Sequence, residues 1–299
     1  YDVMGVCGNG ASYDVQKEAD VEQADLLIAT TSSDEINILT CLVAKKMGVQ
    51  HTIARIRSPE YGRQLRFMRS ELGLSMAINP EAATAREIAR VLRFPTAMKL
   101  ESFSKGRLEL VEYRVAEHTA LDGTRLSELY RNFKVRVLIC AVARQGETII
   151  PSGDFTLRAG DKIYRLLGRF RARASPVMNA GASKMSYYLA SELLEMGMSV
   201  KIIDQNEQRC VEMSEKLPRA LVIVGDGTDS ELLSEEGISQ TDAFVAITGL
   251  DEANILMALS AAKQSGDCCK VVAKINRKSL LELVSTESLI DIVVSTGAV

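Results

Sequence analysis

Apolar and polar positions follow two alternating periods from Val177 to Asp229, and the pattern predicts a strand, a helix, a strand, a helix and a strand. Three short apolar runs are typical of buried parallel strands: Val177–Ala180, Val200–Ile203 and Leu221–Val224. Between the first two runs, apolar residues recur at helical spacing, and Gly197 follows them as a stop signal. This order is typical of the mononucleotide-binding half of a doubly wound α/β fold.

The turn after the first of these strands has only part of a dinucleotide-binding fingerprint. Gly181 stands at the first position of G-x-G-x-x-G, but Ser183 and Ser186 replace the second and third glycines. Asp204 ends the next strand, near the spacing of about 20 residues expected for a ribose-binding acid. One interpretation is a site where the serine Cβ atoms hinder a pyrophosphate, so that adenine mononucleotides bind at least as well as NAD. The other is a nucleotide-type fold that no longer binds here.

The first 95 residues show a similar alternation, and the middle of the chain does not. For the first part we expect strands at Tyr1–Cys7, Leu26–Ala29, His51–Ile56 and Ala77–Ile78. We expect helices at Asp34–Met47, Tyr61–Leu72 and Glu81–Leu92, and a short helix or a turn at Asp14–Ala19. From residue 97 to 167 we expect a small α+β domain with strands at Leu108–Val115, Val135–Ala143, Gly146–Ile150 and Lys162–Leu167 and a short helix at Ser127–Tyr130.

An internal repeat relates the two ends of the chain. At one constant spacing, three motifs recur: Gly8-Asn9-Gly10 as Gly225-Asp226-Gly227, Asp34-Glu35 as Asp251-Glu252, and Asn37-Ile38-Leu39 as Asn254-Ile255-Leu256. Polar residues recur with the apolar ones, which shared helical periodicity alone would not produce. We therefore predict an α/β protein with two Rossmann-like doubly wound nucleotide-binding domains, the first truncated at its start, separated by the small α+β domain. The predicted bounds are 1–95 (the first copy), 96–168, a linker at 169–176, and 177–299 (the second copy).

Composition narrows the possible functions. The chain has a net charge of −3 and 46% hydrophobic residues, which is ordinary for a globular protein and gives no indication of nucleic-acid binding. The six cysteines lack metal-ligand spacing, and the two histidines belong to no recognisable catalytic triad. We expect no catalytic residues and no metal site.

Small polar residues mark the loops at the carboxyl ends of strands in both copies, where open α/β sheets bind ligands. Gly8-Asn9-Gly10 and Thr30-Thr31 occupy these loops in one copy, and Gly225-Asp226-Gly227 and Thr248-Gly249 in the other. Any single glycine there could instead serve a tight turn. The acids that begin helices at Asp34 and Asp251 are favoured by the helix dipole without any function. Arg55 and Arg57 could neutralise phosphates or form surface ion pairs.

Together these motifs resemble the TrkA family, cytosolic regulators of Trk-type potassium uptake whose repeating unit is the regulator-of-potassium-conductance domain. The similarity covers nearly the whole chain. It rests on Gly8–Ser12, the run ADLLIATTSSDEINIL from Ala24, Ala54–Arg57, Ile150–Asp154, Ala159–Asp161, Val200–Asp204, Gly225–Asp229 and Asp251–Asn254.

The resemblance implies a regulatory protein and not an enzyme. Such a protein is cytoplasmic and lies at the inner face of the cell membrane through its partner, a potassium-transporting membrane protein of the Trk type. NAD or NADH and ATP or ADP would bind it and rearrange a homo-oligomeric ring, a tetramer in the family. By position, the ligand residues are Gly181, Ser183, Lys184, Asp204, Gly225, Asp226 and Thr248 in the second copy, and Gly8, Asn9, Gly10, Thr30, Thr31, Arg55 and Arg57 in the first.

Two alternative functions stay open. One is an NAD-dependent oxidoreductase, although the sequence offers no acid–base pair for it. The other is the cytosolic gating portion of a potassium channel polypeptide. The absent first phosphate loop and the short link from Leu167 to Val177 also lead us to expect further sequence before Tyr1 and a second small domain after Val299.

Overall fold

The computed structural model describes residues 3–93, 99–103, 108–117, 119–133, 138–167, 176–265, 269–284 and 290–295. The chain divides into two compact units. One unit combines Tyr1–Ile88, Pro176–Glu195 and Ser199–Val299, and it therefore contains both copies of the repeat; the other combines Ala89–Ser175 and Met196–Met198. The predicted domain boundary at 95 and the linker residues 169–175 lie outside the described residues.

The first copy forms a three-stranded parallel sheet with helices between its strands. In chain order its elements are α1 (Tyr13–Glu18), β1 (Leu26–Ala29), α2 (Asp34–Met47), β2 (His51–Arg55), α3 (Pro59–Glu71), β3 (Met76–Ile78) and α4 (Pro80–Leu92). The strand order is β1-β2-β3. Helix α2 begins where the Ser33 hydroxyl accepts the Ile36 N–H, and it ends at Gly48, which takes a left-handed φ of +110°. The predicted elements from Asp14 to Leu92 are thus confirmed.

The second unit contains a five-stranded antiparallel sheet. Its elements are β4 (Lys99–Phe103), β5 (Leu108–Arg114), α5 (Leu129–Phe133), β6 (Leu138–Arg144), β7 (Glu147–Ile149) and β8 (Lys162–Leu167), in the sheet order β4-β5-β8-β6-β7. Arg144 makes a two-pronged ion pair with the buried carboxylate of Asp161, with both N–O distances at 2.7 Å. This hydrogen-bonded pair holds the pKa of Asp161 below its ordinary value.

The second copy forms a six-stranded parallel sheet. Its elements are β9 (Pro176–Ala180), α6 (Lys184–Glu195), β10 (Ser199–Asp204), α7 (Glu207–Lys216), β11 (Leu221–Val224), α8 (Ser230–Glu235), β12 (Ala243–Ala246), α9 (Asp251–Ser265), β13 (Lys270–Lys274), α10 (Lys278–Val284) and β14 (Ile292–Val294). The order β11-β10-β9-β12-β13-β14 is the Rossmann order, which confirms the predicted fold class. Apolar side chains of β9 and β12 fill its core, and Met178 and Phe244 are fully buried there.

The strand predicted at Tyr1–Cys7 is wrong for residues 3–7, which lie outside any strand. By the repeat, these residues correspond to β11, which pairs with β10 in the second copy. Among the described residues of the first copy, the sheet consists of β1, β2 and β3 and includes no pairing with residues 3–7, and an apolar run without a hydrogen-bonded neighbour does not form a strand. Among the described residues, no helix has both the length and the apolar character needed to span a bilayer.

Candidate nucleotide site

A cavity of about 300 Å³ opens at the carboxyl edge of the six-stranded sheet. It lies where the strand order reverses between β9 and β12, which is the position where doubly wound folds bind their ligands. Its lining comes from the ends of β9 and β10, the loops after β9, β10, β11 and β12, and the helices α7 and α9: Ala180, Gly181, Ile203, Asp204, Gln205, Arg209, Asp226, Gly227, Thr228, Thr248, Gly249, Leu250, Ala253 and Met257. Four of the predicted ligand residues therefore line one cavity: Gly181, Asp204, Asp226 and Thr248.

Gly181 is required by the close approach of two loops. It has a φ of +110°, and a Cβ atom at this position would lie 3.1 Å from both the N and Cα atoms of Thr248. Only glycine takes this conformation without strain and leaves that space free. The Gly181 N–H also donates to the Ile203 carbonyl at 2.8 Å, which ties the loop to the end of β10.

Asp204 turns its carboxylate toward the glycine loop. Its Oδ2 accepts the Ala182 N–H at 2.6 Å, and its Oδ1 accepts the Asn206 N–H at 2.8 Å. Each carboxylate oxygen has a second lone pair, so both can still accept a hydrogen bond from a ribose hydroxyl. In related folds a phosphate oxygen accepts hydrogen bonds from backbone N–H groups at such a loop. Here the Ala182 N–H already donates to Asp204.

Asp226 adds a second carboxylate to the cavity. Its Oδ1 accepts both the backbone N–H of Thr228 at 2.8 Å and the Thr228 hydroxyl at 2.7 Å. The hydrogen bond from this hydroxyl is the main reason that the pKa of Asp226 lies below its ordinary value. The carboxylate is therefore ionised at neutral pH and can only accept hydrogen bonds from a ligand.

Thr248 is held by Asn254, a residue of the repeat that was not among the predicted ligand residues. The Asn254 side-chain oxygen accepts the Thr248 N–H at 2.8 Å and the Thr248 hydroxyl at 2.7 Å, while its amide donates to Lys274 O at 2.9 Å. Asn254 is fully buried. It thus fixes the loop after β12 against the end of β13.

The first copy repeats this arrangement around Asn37. Its side-chain oxygen accepts the N–H and hydroxyl of Thr31, both at 2.7 Å, and its amide donates to Arg55 O at 2.9 Å. Asn37 is also fully buried. The signal was present in the sequence, because Asn37 and Asn254 occupy the same place in the repeat.

The two aspartates that begin α2 and α9 have a role beyond the helix dipole. The buried Asp34 Oδ2 accepts the N–H groups of Arg57 and Ser58, at 2.9 and 2.7 Å. In the second copy, Asp251 Oδ2 accepts the N–H groups of the two residues after Ile275, both at 2.9 Å. The explanation by helix dipole alone was therefore incomplete, because each carboxylate also holds the loop that follows the next strand.

Ser183 and Ser186 both make hydrogen bonds at the start of α6, and whether their Cβ atoms hinder a pyrophosphate stays a prediction. The Ser183 hydroxyl accepts the Ser186 N–H at 3.2 Å, as a helix N-cap does, and donates to Ile247 O at 3.2 Å. Ser186 is fully buried, and its hydroxyl accepts a hydrogen bond from the Asn179 amide. This hydroxyl therefore joins α6 to β9.

Ser183 and Lys184 line a second cavity of about 230 Å³, and not the first. Arg209 borders both cavities. The wall opposite Lys184 includes Ser58, Pro59 and Glu60 of the first copy. The predicted ligand residues of the second copy are therefore divided between two neighbouring cavities that share one arginine.

Gly225 and its counterpart Gly8 have a packing role. A Cβ atom on Gly225 would lie 2.5 Å from a methyl carbon of Leu232, and one on Gly8 would lie 2.8 Å from a methyl carbon of Val15. Gly225 is absent from the lining of the two described cavities, and contact of either glycine with a ligand stays a prediction. Close packing explains why glycine stands at both positions, and neither has the positive φ of a tight turn.

Among the other residues predicted for the first copy, Thr30 and Thr31 directly follow β1, at the carboxyl edge of its sheet. Thr30 is exposed, and a Cβ on Gly10 would make only ordinary contact with Thr40. The Asn9 side-chain oxygen accepts the Ala11 N–H at 3.1 Å. Asp226, its counterpart in the second copy, accepts the Thr228 N–H in the same way.

The two arginines of the first copy already have protein partners. The Arg55 guanidinium donates to Thr31 O at 2.9 Å. Arg57 donates to Ser32 O and lies 3.6 Å from Asp34 Oδ1. The ion-pair alternative is thus present for Arg57, and contact of either arginine with phosphate stays a prediction.

Two protein families match this chain. The TrkA-N domain matches residues 1–80 and 177–296, and the TrkA-C domain matches residues 110–164. The TrkA-N matches coincide with the two copies of the repeat, and the TrkA-C match lies between them.

Curated relatives match over nearly the whole chain. A "Trk system potassium uptake protein TrkA homolog" of Archaeoglobus fulgidus is 34% identical over 292 residues, covering 94% of this chain and 66% of the relative. The "Trk system potassium uptake protein TrkA" of Vibrio alginolyticus is 33% identical over 311 residues, covering 99% and 67%. The chain thus spans about two thirds of the length of these relatives.

Solved structures share the fold at low identity. The structure titled "GsuK channel bound to NAD" has a TM-score of 0.63 at 21% identity and covers 97% of this chain and 52% of that chain. "Crystal structure of the GsuK bound to ADP" has a TM-score of 0.61 at 15% identity and covers 97% and 53%. The matched domains, the relatives and the Rossmann strand order agree, and the chain belongs to the TrkA family of Trk system potassium uptake proteins.

Proposed function

We propose that this chain is a nucleotide-sensing regulatory subunit of a potassium transporter of the Trk type. The observation that carries the proposal is the cavity at the strand switch point, where Gly181, Asp204, Asp226 and Thr248 converge. Its two carboxylates suit the hydroxyl groups of a ribose, and its apolar wall of Ala253 and neighbouring side chains suits a purine ring.

We further propose that an adenine nucleotide is the ligand, with ADP or ATP preferred to NAD. The Ala182 N–H is bound to Asp204, which leaves the glycine loop with one donor fewer for a pyrophosphate folded across it. A mononucleotide can place its phosphates beyond the loop, near Arg209. The fold-level likeness to channels titled as bound to NAD and to ADP supports a nucleotide but does not choose between them.

Regulation, and not catalysis, is the role that the cavity supports. Its ionisable lining residues are Asp204, Arg209 and Asp226, and the described lining has no His, Cys, Lys or Tyr. A hydride-transfer enzyme needs an acid or base whose pKa lies near neutrality, and the pKa of Asp226 is shifted the other way. We accordingly propose a cytoplasmic protein that reaches the membrane through its transporter and acts as a homo-oligomer, a tetramer that light scattering would detect.

The experiment is potassium uptake in cells that encode this chain. Deleting its gene should slow uptake at limiting potassium, and the wild-type gene should restore it. Asp204→Ala should restore uptake less well, whereas Asp242→Ala at the opposite end of β12 should behave as wild type. Unchanged uptake after the deletion would contradict the proposed function.

A further inference from the structure

One tyrosine of the second copy makes hydrogen bonds to the first copy. The Tyr188 hydroxyl donates to Arg57 O at 3.0 Å and accepts the Asn79 side-chain N–H at 2.9 Å. Both copies belong to the same compact unit, so this contact lies within that unit. Tyr188 stands on α6, the helix that begins at the candidate nucleotide loop.

We infer that Tyr188 is a positioning residue that links the nucleotide loop of the second copy to the arginine segment of the first. This inference rests on the proposed function, because it needs a ligand at the second copy. It assigns to Tyr188 the transmission of ligand binding from one copy to the other.

Arg57 and Ser58, the segment of the first copy that Tyr188 contacts, are held by several hydrogen bonds. The N–H groups of Arg57 and Ser58 are both bound to Asp34 Oδ2, and the Arg57 guanidinium contacts Ser32 O. Tyr188 holds the carbonyl of the same residue. Because hydrogen bonds weaken steeply beyond about 3.5 Å, a shift of α6 by less than 1 Å must either pull this segment or break the bond.

The Tyr188 hydroxyl also reaches the start of α4. The Asn79 side-chain oxygen accepts the Ala82 N–H at 2.9 Å, as an N-cap does, and its amide is the group that donates to Tyr188. Two parts of the first copy, the carbonyl of Arg57 and the side chain that caps α4, therefore meet at one oxygen atom.

In the second copy, the part of α6 nearest to the nucleotide cavity is its first turn. Gly181 and Asp204 line the cavity. The Asp204 carboxylate holds the Ala182 N–H directly before the Ser183 cap, so a nucleotide that contacts Asp204 acts on the N-terminus of α6. A helix moves as a rigid element, and Tyr188 lies little more than one turn along it. Displacement of the cap therefore reaches the Tyr188 hydroxyl directly.

The helix itself supplies a matched control. Tyr187 is the adjacent residue, and its ring packs edge-on against Tyr188 with the centroids 5.6 Å apart. Tyr188→Phe and Tyr187→Phe each remove one hydroxyl from the same helix and keep the ring. A general effect of losing a tyrosine hydroxyl from α6 would appear in both variants, and loss of the link to Arg57 only in the first.

Hydrogen exchange measured by mass spectrometry tests this inference, with ADP as the probe and calorimetry as the measure of binding. In wild type and in Tyr187→Phe, ADP should change the exchange of amides in residues 55–61. Tyr188→Phe should bind ADP within about threefold of wild type, a difference below 1 kcal/mol, but show no ADP-dependent change in residues 55–61.

Two results would overturn the inference. One is an ADP-dependent change in residues 55–61 that persists in Tyr188→Phe. The other is that the wild-type protein binds ADP but the amide exchange of residues 55–61 does not change. If calorimetry shows that wild type does not bind ADP at all, the proposed nucleotide function fails first and the link fails with it, so the two failures are distinguishable.

Discussion

Replacing Gly181 with alanine tests the loop geometry on which the candidate site depends. Gly48 provides a matched control, because it has the same φ of +110° at the end of α2 but has no atom within 4 Å of an added Cβ. Both substitutions impose the same kind of left-handed strain, and both remove one glycine from the unfolded chain. Any difference between them reports the contact with Thr248.

The size of that difference follows from the distances. The left-handed conformation costs an alanine about 1–2 kcal/mol at either position. At Gly181, the new Cβ would also stand 3.0–3.1 Å from Thr248 Cγ2, N and Cα, so backbone must move. Overpacking of this kind costs about 1–3 kcal/mol, and we expect Gly181→Ala to destabilise the protein by that much more than Gly48→Ala.

Urea unfolding followed by circular dichroism measures the two costs, and an ADP titration measures the effect on the site. We expect Gly181→Ala to weaken ADP binding, because Thr248 lines the cavity and is displaced. Gly48→Ala should bind as wild type does. Equal unfolding free energies for the two variants, with unchanged ADP affinity in both, would refute the reasoning.

Three further predictions concern individual polar side chains. Asn254→Ala should lower the free energy of unfolding by about 3 kcal/mol, because three hydrogen bonds of 2.7–2.9 Å are lost. The control Asn206→Ala removes an exposed helix cap and should cost about 1 kcal/mol, so equal losses in urea unfolding would contradict the prediction. The pKa of Asp161 is lowered in the folded state, so its contribution to stability is complete above its unfolded pKa of about 3.9 and is lost as the pH falls through the folded value. Arg144→Ala should therefore flatten the loss of stability on acidification, and a thermal-melting series from neutral to acid pH that stayed as steep as in wild type would count against it. Ser183→Gly removes the Cβ near the loop and changes the helix cap by only a few tenths of a kcal/mol, so it should tighten NAD binding more than ADP binding, and equal calorimetric gains would show that the serine is sterically neutral.

Periodicity and repetition predicted the fold well because they record backbone geometry directly. The helices and strands of both copies follow from apolar spacing and from glycine stops such as Gly48. The internal repeat also predicted the later helices and strands of the second copy, which were not assigned individually. The strand predicted at Tyr1–Cys7 is wrong for residues 3–7 because apolar spacing does not show whether a segment finds a pairing partner, and among the described residues none pairs with this one.

The candidate site was only partly predictable. Gly181, Asp204, Asp226 and Thr248 meet as expected, because strand order places their loops at one edge. Asn254 was missed, since a motif argument looks for residues that face a ligand and not for those that hold the loops. Such contacts depend on which backbone atoms come within 3 Å, and one sequence does not give those distances.

The most direct measurement is calorimetric titration of ADP into wild type, Asp204→Ala and Asp242→Ala, with circular dichroism to show that each is folded. Asp204 lines the cavity, and Asp242 lies beyond the opposite end of β12. We predict that Asp204→Ala weakens ADP binding by about 1–3 kcal/mol, roughly 5- to 150-fold, because a ribose hydroxyl loses its acceptor. Asp242→Ala should bind as wild type does. Undiminished ADP affinity in folded Asp204→Ala would show that the nucleotide does not bind at the switch-point cavity.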